Sequence, residues 1–175
     1  METKDIYEKL KRHFGSEVIF SLQEANEGIR DPFLCVLGEQ ISRIGLFCRI
    51  EPDLAFDFCQ SITGIDERDA ISCVYHLFSY TFLHTLVIKT RAQWEDDSHE
   101  LAVLPSCTSV WPSANWYERE IYDLYGVKFS GHPDLRRLLL PDDWKGHPMR
   151  KSWEEPASYN GMPTTRDSTL DLLEE

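Results

Sequence analysis

The sequence predicts an α+β fold: a small mixed sheet with helices packed on it, followed by an extended, Pro/Gly-rich C-terminal tail. Residues 71–80 and 82–90 are rich in β-branched and aromatic side chains, which indicates two neighbouring strands. Residues 4–14 place apolar side chains four apart, the spacing of an amphipathic helix. Six of the nine prolines lie at or after Pro112, and no long helix or strand fits the sequence beyond Leu140.

The higher proline content and the lack of long predicted elements near the C-terminus divide the chain into two predicted parts. We predict an α+β domain over residues 1–126 and an extended, partner-docking segment over residues 127–175. The total of 175 residues suits one domain with a tail, because single domains commonly span about 100–200 residues.

Local patterns predict the remaining elements of the domain. Gly15 ends the first helix, and Pro52 is suited to the first turn of another helix, whose apolar residues recur at helical spacing until Thr63-Gly64. Pro112 opens the last helix, and Gly126 closes it. Besides the helix over 4–14 and the strands over 71–80 and 82–90, the predicted elements in chain order are a strand over 17–22, a strand over 33–37, a helix over 40–50, the helix from Pro52 to about 62, a loop at 96–98, a strand over 100–104 and the helix over 112–125.

Composition excludes several classes of function. The 18 basic and 30 acidic residues give a net charge of −12, which repels phosphate backbones and argues against nucleic-acid binding. The charged N-terminus lacks the apolar region of a secretory signal, and no apolar run reaches the roughly 18 residues of a membrane span. The five cysteines form no Cys-x-x-Cys pair, so we expect reduced, mostly buried thiols and no iron–sulfur cluster or structural zinc.

The tract between Trp116 and Lys151 differs from the rest of the chain. Residues 118–151 carry seven basic and six acidic side chains, whereas residues 1–117 carry ten and 18 and residues 152–175 carry one and six. Arginine and aromatic enrichment at low net charge is typical of a protein–protein contact surface. We therefore expect partner subunits to lie against this tract.

Charged residues of the last predicted helix have two interpretations. Arg119 and Asp123 are four residues apart, so they can pair on one helix face. That face is either solvated or part of a buried network that also includes Glu118 and fixes the start of the tail.

A Gly-His-Pro unit occurs twice, at 131–133 and 146–148, and each copy is typical of a turn. A metal bound by His132, Asp134 and His147 is a weak alternative, because their spacing matches no standard site. Arg136 and Arg137 are suited to a phosphate or a carboxylate, and we favour a carboxylate on a partner subunit.

The same tract resembles the signature of the 30-kilodalton subunit family, the C subunit of the type-I NADH:quinone oxidoreductase (respiratory complex I). The motifs that carry the resemblance are Glu118-Arg119-Glu120, Asp123, Tyr125-Gly126, Gly131-His132-Pro133-Asp134-Leu135-Arg136-Arg137, Pro141-Asp142-Asp143-Trp144 and Gly146-His147-Pro148-Met149-Arg150-Lys151. So many matched positions make the resemblance specific, and it extends weakly over the α+β domain.

The resemblance implies a structural role with no catalytic, cofactor-binding or metal-binding residue on this chain. It implies a peripheral-arm subunit, on the cytoplasmic side of the bacterial inner membrane, that supports electron transfer from NADH through FMN and iron–sulfur clusters to quinone. Those cofactors belong to partner subunits, and the expected neighbours are the quinone-site (D) subunit and iron–sulfur subunits. The residues expected at the subunit interface are Glu118, Arg119, Glu120, Asp123, Gly126, Gly131, His132, Pro133, Asp134, Leu135, Arg136, Arg137, Pro141, Asp142, Trp144, Gly146, His147, Pro148, Arg150 and Lys151.

Two alternatives stay open at this point. The chain could be the equivalent subunit of a related membrane-bound hydrogenase or of a quinone oxidoreductase that uses another donor, because those complexes share this module. It could also be an independent small enzyme built on His132, His147 and nearby carboxylates.

Overall fold

The computed structural model describes residues 1–28, 31–93 and 102–164. In chain order the elements are α1 (Thr3–Phe14), β1 (Ile19–Gln23), β2 (Phe33–Val36), a 3₁₀ turn (Gly38–Gln40), α2 (Ile41–Ile50), β3 (Phe58–Asp66), β4 (Ala70–Ser79), β5 (His84–Gln93), β6 (Val103–Pro105), α3 (Ala114–Tyr125), β7 (Lys128–Ser130), β8 (Ser158–Tyr159) and β9 (Met162–Pro163). The predicted α+β class is confirmed. Within the described ranges, no helix is long and apolar enough to cross a bilayer.

Five strands form the main sheet in the order β1-β2-β5-β4-β3. β2 and β5 run parallel, whereas the other neighbouring strands are antiparallel, so the sheet is mixed as predicted. The long β4–β5 hairpin runs in register from the pair Ala70↔Gln93 to the pair Ser79↔His84. The strands predicted at 71–80 and 82–90 are thereby confirmed to within a few residues.

One face of the sheet and the helices share a single hydrophobic core. Burial alternates along β4 and β5, because successive side chains of a strand point to opposite faces. Tyr75 and Ile88 on these strands are fully buried, as are Ile6 of α1, Ile44 of α2 and, with 1% exposure, Trp111 before α3. Each fully buried aliphatic side chain contributes about 1.5–3 kcal/mol through removal of apolar area from water.

The helix predicted from Pro52 to about residue 62 is wrong, because this segment turns and becomes β3. Ala55 has a φ of 45°, which breaks the helical path before the strand begins. Apolar residues in this stretch fit a helical period, but pairing with β4 places Cys59 and Ile62 on the core face, with a register shift between Cys59 and Ser61. Gly64 does not end a helix; it lies inside β3.

The packed domain continues past the predicted boundary at residue 126. β7 pairs in parallel with β6, and Val127 and Phe129 are buried in the core. Strand pairing and core burial therefore continue to Ser130, while the docking role of residues 127–175 stays a prediction. The loop predicted at 96–98, the start of the strand predicted at 100–104 and residues after Thr164 lie outside the described residues.

All five cysteines are free thiols, as predicted. Four of them are buried, and Cys35 is half-buried. Burial raises the pKa of the Cys73 thiol, so the buried cysteines behave as small apolar side chains.

Candidate functional site

The tract that stood out in the sequence lies on and around α3, and α3 itself is held against β3. A Cβ atom added at Gly64 would lie 2.6 Å from Cδ2 of Tyr125, so this close packing requires glycine. The Tyr117 hydroxyl donates a hydrogen bond to the Gln60 carbonyl of the edge strand over 2.6 Å. The helix is therefore a fixed support for the residues that follow it.

Glu118 is fully buried and anchors the loop before α3. Its carboxylate accepts hydrogen bonds from the Ser106 hydroxyl and from the Cys107 backbone N–H, each over 2.6 Å. Burial raises the pKa of Glu118 to about 7, although both hydrogen bonds oppose the shift. No basic side chain of the described residues forms an ion pair with this carboxylate.

Arg119 is 6% exposed and binds the backbone of the following segment. Its Nε and Nη2 atoms donate to the carbonyls of Arg136 and Arg137 over 3.2 and 3.1 Å. Its guanidinium also lies 5.2 Å from the ring centre of Trp116. The predicted Arg119–Asp123 pair is wrong, because Arg119 is turned toward these carbonyls and Asp123 has a different partner.

Asp123 is fully buried and collects four hydrogen bonds from residues 131–151, here called the wrap. Its Oδ2 atom accepts from the backbone N–H groups of Leu138, Leu139 and Leu140 over 2.7–3.0 Å. Its Oδ1 atom accepts from Nη1 of Arg137 over 2.8 Å. Burial alone would raise the pKa of Asp123, but these donors outweigh burial and lower it. One carboxylate thus fixes three consecutive backbone amides of the wrap.

Arg137 joins two parts of the wrap. Besides its ion pair with Asp123, its Nη2 atom donates to the carbonyls of Trp144 and Gly146 over 3.1 and 3.3 Å. Arg136 pairs with Asp134 at the exposed surface over 3.0 Å. Each arginine thus has a carboxylate within its own chain, and the favoured carboxylate on a partner subunit stays a prediction.

The wrap also caps the C-terminal end of α3. The last carbonyls of a helix lack partners inside the helix, and cations are favourable there. The three capping hydrogen bonds are His147 Nδ1 to the Asp123 carbonyl (2.9 Å), Met149 N–H to the Leu124 carbonyl (3.1 Å) and Arg150 Nε to the Tyr125 carbonyl (2.6 Å). Because a carbonyl only accepts, Nδ1 of His147 carries the proton. Burial lowers the pKa of His147, which favours the neutral ring.

Gly126 allows the wrap to approach this helix end. Its φ of 75° and ψ of 34° are left-handed, and its N–H donates to the Ile121 and Tyr122 carbonyls. A Cβ atom at this position would lie 2.3 Å from Nη2 of Arg150 and 2.5 Å from Cδ2 of His147. The sequence pattern identified Gly126 as a helix end, but not as a contact surface for the wrap.

The structure does not bring His132 and His147 together. Nε2 of His132 lies 3.2 Å from the Asn115 carbonyl at the start of α3, whereas His147 binds the Asp123 carbonyl near its end. Eight helical residues correspond to about 12 Å along the axis, too far for one metal ion. No group of three or more His, Cys, Asp or Glu residues in the described ranges is placed to hold a metal.

The remaining signature residues lie along the wrap or beside it. Leu135 packs against the core, and the backbone N–H of Lys151 donates to Oδ2 of Asp66 over 2.7 Å. Glu120, Trp144 and Pro148 are half-buried, and the exposed residues are Gly131, Pro133, Pro141, Asp142 and Gly146.

Sequence reasoning missed several residues that complete this site. Ser106 binds Glu118 through a single hydroxyl, and residues 138–140 bind Asp123 through backbone N–H groups. Neither kind of contact produces a motif in a sequence. Asp66 lies 85 residues from Lys151, so only the fold brings the two together. Trp153 and Tyr159 lie after the signature and contact the ring of Trp144. Their aromatic side chains were the one sequence feature that could have indicated this contact.

Comparison with known proteins decides the family. The model of the family described as "Respiratory-chain NADH dehydrogenase, 30 Kd subunit" matches residues 34–159. The chain belongs to this family. The match begins within β2, ends with β8 and includes the whole wrap, so the resemblance read from the tract after Trp116 is confirmed.

Two curated relatives illustrate how members of the 30-kilodalton subunit family are built. The NADH-quinone oxidoreductase C subunit of Chlorobium phaeobacteroides is 38% identical over 160 residues, which cover 89% of this chain and 91% of that protein. The NADH-quinone oxidoreductase C/D subunit of Pseudomonas aeruginosa is 35% identical over 99% of this chain, but the match covers 30% of that longer protein. In four further relatives that are named as C subunits, the match spans 51–64% of the relative.

A solved structure shares the fold of this family member. It is a chain of the membrane-bound sulfane sulfur reductase, an archaeal respiratory membrane complex. The TM-score is 0.67 at 25% identity, and the match covers 88% of this chain and 86% of that chain.

Proposed function

We propose that this protein is a structural subunit of a proton-translocating NADH:quinone oxidoreductase and carries no catalytic residue of its own. In this proposal it holds neighbouring subunits in place while electrons pass from NADH through FMN and iron–sulfur clusters to quinone. Those groups belong to the partner subunits, and this chain binds none of them. It lies in the peripheral arm, on the cytoplasmic side of the bacterial inner membrane, and contacts the membrane only through the complex.

The observation that carries the docking role is an exposed apolar surface held by a buried polar network. Leu139 is 62% exposed and Met149 is 52% exposed, yet the backbone N–H of each is bound, to Asp123 and to the Leu124 carbonyl. Both acceptors belong to the last turn of α3, so the backbone of both residues is attached at the same end of that helix. Rigidly held apolar side chains lose little entropy when a partner covers them.

The favoured neighbour is the quinone-site (D) subunit, with iron–sulfur subunits nearby. Relatives that are named as C/D subunits carry a segment like this chain within one longer protein, and fusion favours parts that lie side by side in a complex. The low net charge of residues 118–151, together with their arginine and aromatic side chains, also suits a contact surface.

Substitution of the two projecting side chains tests this proposal. We expect the double variant Leu139→Ser/Met149→Ser to reduce recovery of the quinone-site subunit with an affinity-tagged chain purified from native membranes. Burying a leucine or methionine contributes about 1.5–3 kcal/mol, so the loss should exceed tenfold. Ile50→Ser is the matched control, because Ile50 is 65% exposed and lies at the end of α2.

The thermal stability of each isolated chain separates docking from folding. The double variant should unfold at the same temperature as the native chain, because both side chains are largely exposed. Normal recovery of the quinone-site subunit with the double variant, or an equal loss with Ile50→Ser, would contradict docking through this surface.

A second candidate function rests on the solved structure that shares this fold. The chain could serve the equivalent role in a respiratory membrane complex with another electron donor, because the sulfane sulfur reductase chain has the same fold over 88% of this chain. Identifying the co-purifying subunits distinguishes the two candidates. Partners with FMN- and NAD-binding motifs would support an NADH-linked complex, and their absence from a complete complex would support the alternative.

A further inference from the structure

We propose that a cleft between the wrap and the segment after it binds a basic side chain of the neighbouring subunit. The cleft has a volume of about 360 Å³ and lies between residues 143–145 and the segment 153–160. The aromatic residues that line it are Trp144, Trp153 and Tyr159. The inference deepens the proposed docking function and rests on it, because the basic side chain has to come from a docked partner.

Three aromatic rings form a continuous wall of the cleft. The ring centres of Trp144 and Trp153 are 6.1 Å apart with planes inclined by 22°, and those of Trp144 and Tyr159 are 5.0 Å apart. The faces of such rings carry negative electrostatic potential, so they attract ammonium and guanidinium groups, and tryptophan attracts them most strongly. The Trp153 indole N–H donates to the Lys145 carbonyl over 3.4 Å, which helps to hold the wall together.

The charged residues that line the cleft also favour a basic side chain. Asp143 and Glu154 outnumber Lys145 among the lining residues. The Tyr159 hydroxyl donates to Oδ1 of Asp143 over 2.9 Å, which fixes this carboxylate beside the rings. Asp143 and Glu154 have no ion-pair partner among the described residues.

A buried donor in the same wall also lacks an acceptor. The Trp144 Nε1 atom is buried and has no hydrogen-bond partner in the described part of the chain. Buried N–H groups are nearly always paired, so the isolated chain leaves one polar group of this wall unsatisfied. An arginine or lysine side chain supplies the cation that the aromatic rings attract.

The first test uses the isolated full chain and two small probes. Nα-acetyl-arginine amide is cationic, and Nα-acetyl-norleucine amide is a neutral control with an unbranched side chain. With indole groups labelled by ¹⁵N, we expect the arginine probe to shift the Trp144 and Trp153 resonances more than that of Trp116, which is 61% exposed. Trp153→Leu and Glu154→Gln should each weaken this response by up to about tenfold.

Two results of the titration would overturn the proposal. Equal shifts with the norleucine probe would identify an apolar groove, and equal shifts at Trp116 would indicate non-specific binding. Because the probes act on the isolated chain, this test does not depend on whether docking through Leu139 and Met149 is correct.

The second test uses the assembled complex. Trp153→Leu should lower recovery of the neighbouring subunit by about tenfold, which corresponds to a cation–π contact in a desolvated site. Tyr159→Phe, which keeps the ring but removes the hydrogen bond to Asp143, should have a smaller effect. Probe binding together with normal recovery of Trp153→Leu would overturn the assignment of the cation to the neighbour.

Discussion

Replacement of Asp123 by asparagine should release the wrap from α3. The native carboxylate accepts four hydrogen bonds, three from the amides of residues 138–140 and one from Arg137. Asparagine keeps the size of the side chain, but it has only one acceptor oxygen. Its NH₂ group would replace the oxygen that faces either Arg137 or the three backbone amides, and both of these are donors. It also leaves the Arg137 guanidinium without its counter-ion.

The size of the effect follows from the burial of the pair. A hydrogen bond to a charged group contributes about 1.5–3 kcal/mol, and loss of one partner of a buried ion pair costs about 3–5 kcal/mol. The Arg137 side chain is 19% exposed and keeps its bonds to the Trp144 and Gly146 carbonyls, so the lower value applies. We expect a loss of about 3 kcal/mol, which is large against a total stability of about 5–15 kcal/mol.

Amide hydrogen exchange measures this loss where it occurs. We expect exchange at Leu138, Leu139 and Leu140 to accelerate by about a hundredfold in Asp123→Asn, because 1.4 kcal/mol corresponds to a factor of ten. Asp134→Asn is the control, since its exposed pair with Arg136 contributes at most about 1 kcal/mol. Unchanged exchange at the three leucines in Asp123→Asn would refute the role given to this carboxylate.

The native pair also predicts a pH dependence. The pKa of Asp123 is lowered in the folded chain, so its stabilising effect is fully present above the unfolded value of about 3.9. The effect is lost only as the pH falls below that value and through the folded pKa. Protection of Leu138–Leu140 should therefore persist in mild acid down to about pH 4.

Three further substitutions test other parts of the site. The pKa of Glu118 is about 7 in the folded chain and 4.5 in its ordinary state. The free energy of unfolding should therefore fall by about 3 kcal/mol as the pH rises from 4.5 to 7. Chemical denaturation of Glu118→Gln at several pH values should lack this decrease. Gly126→Ala should lower the melting temperature more than Gly131→Ala, because both have positive φ but a Cβ atom at Gly131 meets nothing within 4 Å; equal shifts would exclude the contact with the wrap. Gly64→Ala should cost about 1–3 kcal/mol by overpacking against Tyr125, and an unchanged melting temperature would contradict the close approach of α3 to β3.

Much of the fold was predictable because strands and helices depend on local patterns. The β4–β5 hairpin and α3 followed from β-branched runs and from the Pro112 and Gly126 signals. The segment after Pro52 misled the prediction, because five apolar residues satisfy a helical period equally well. Pairing with β4 decided its state, and that pairing joins residues far apart in the chain.

The amino-acid sequence was enough to identify the family and the signature residues of the site, since matched positions and local charge are properties of the chain order. Which charged groups pair depends on the folded arrangement of the chain. Asp123 lies four residues from Arg119 but binds Arg137, 14 residues away. The physical reason is burial: a carboxylate removed from water requires several donors at once, and the amides of Leu138–Leu140 provide them only after the chain turns back onto α3.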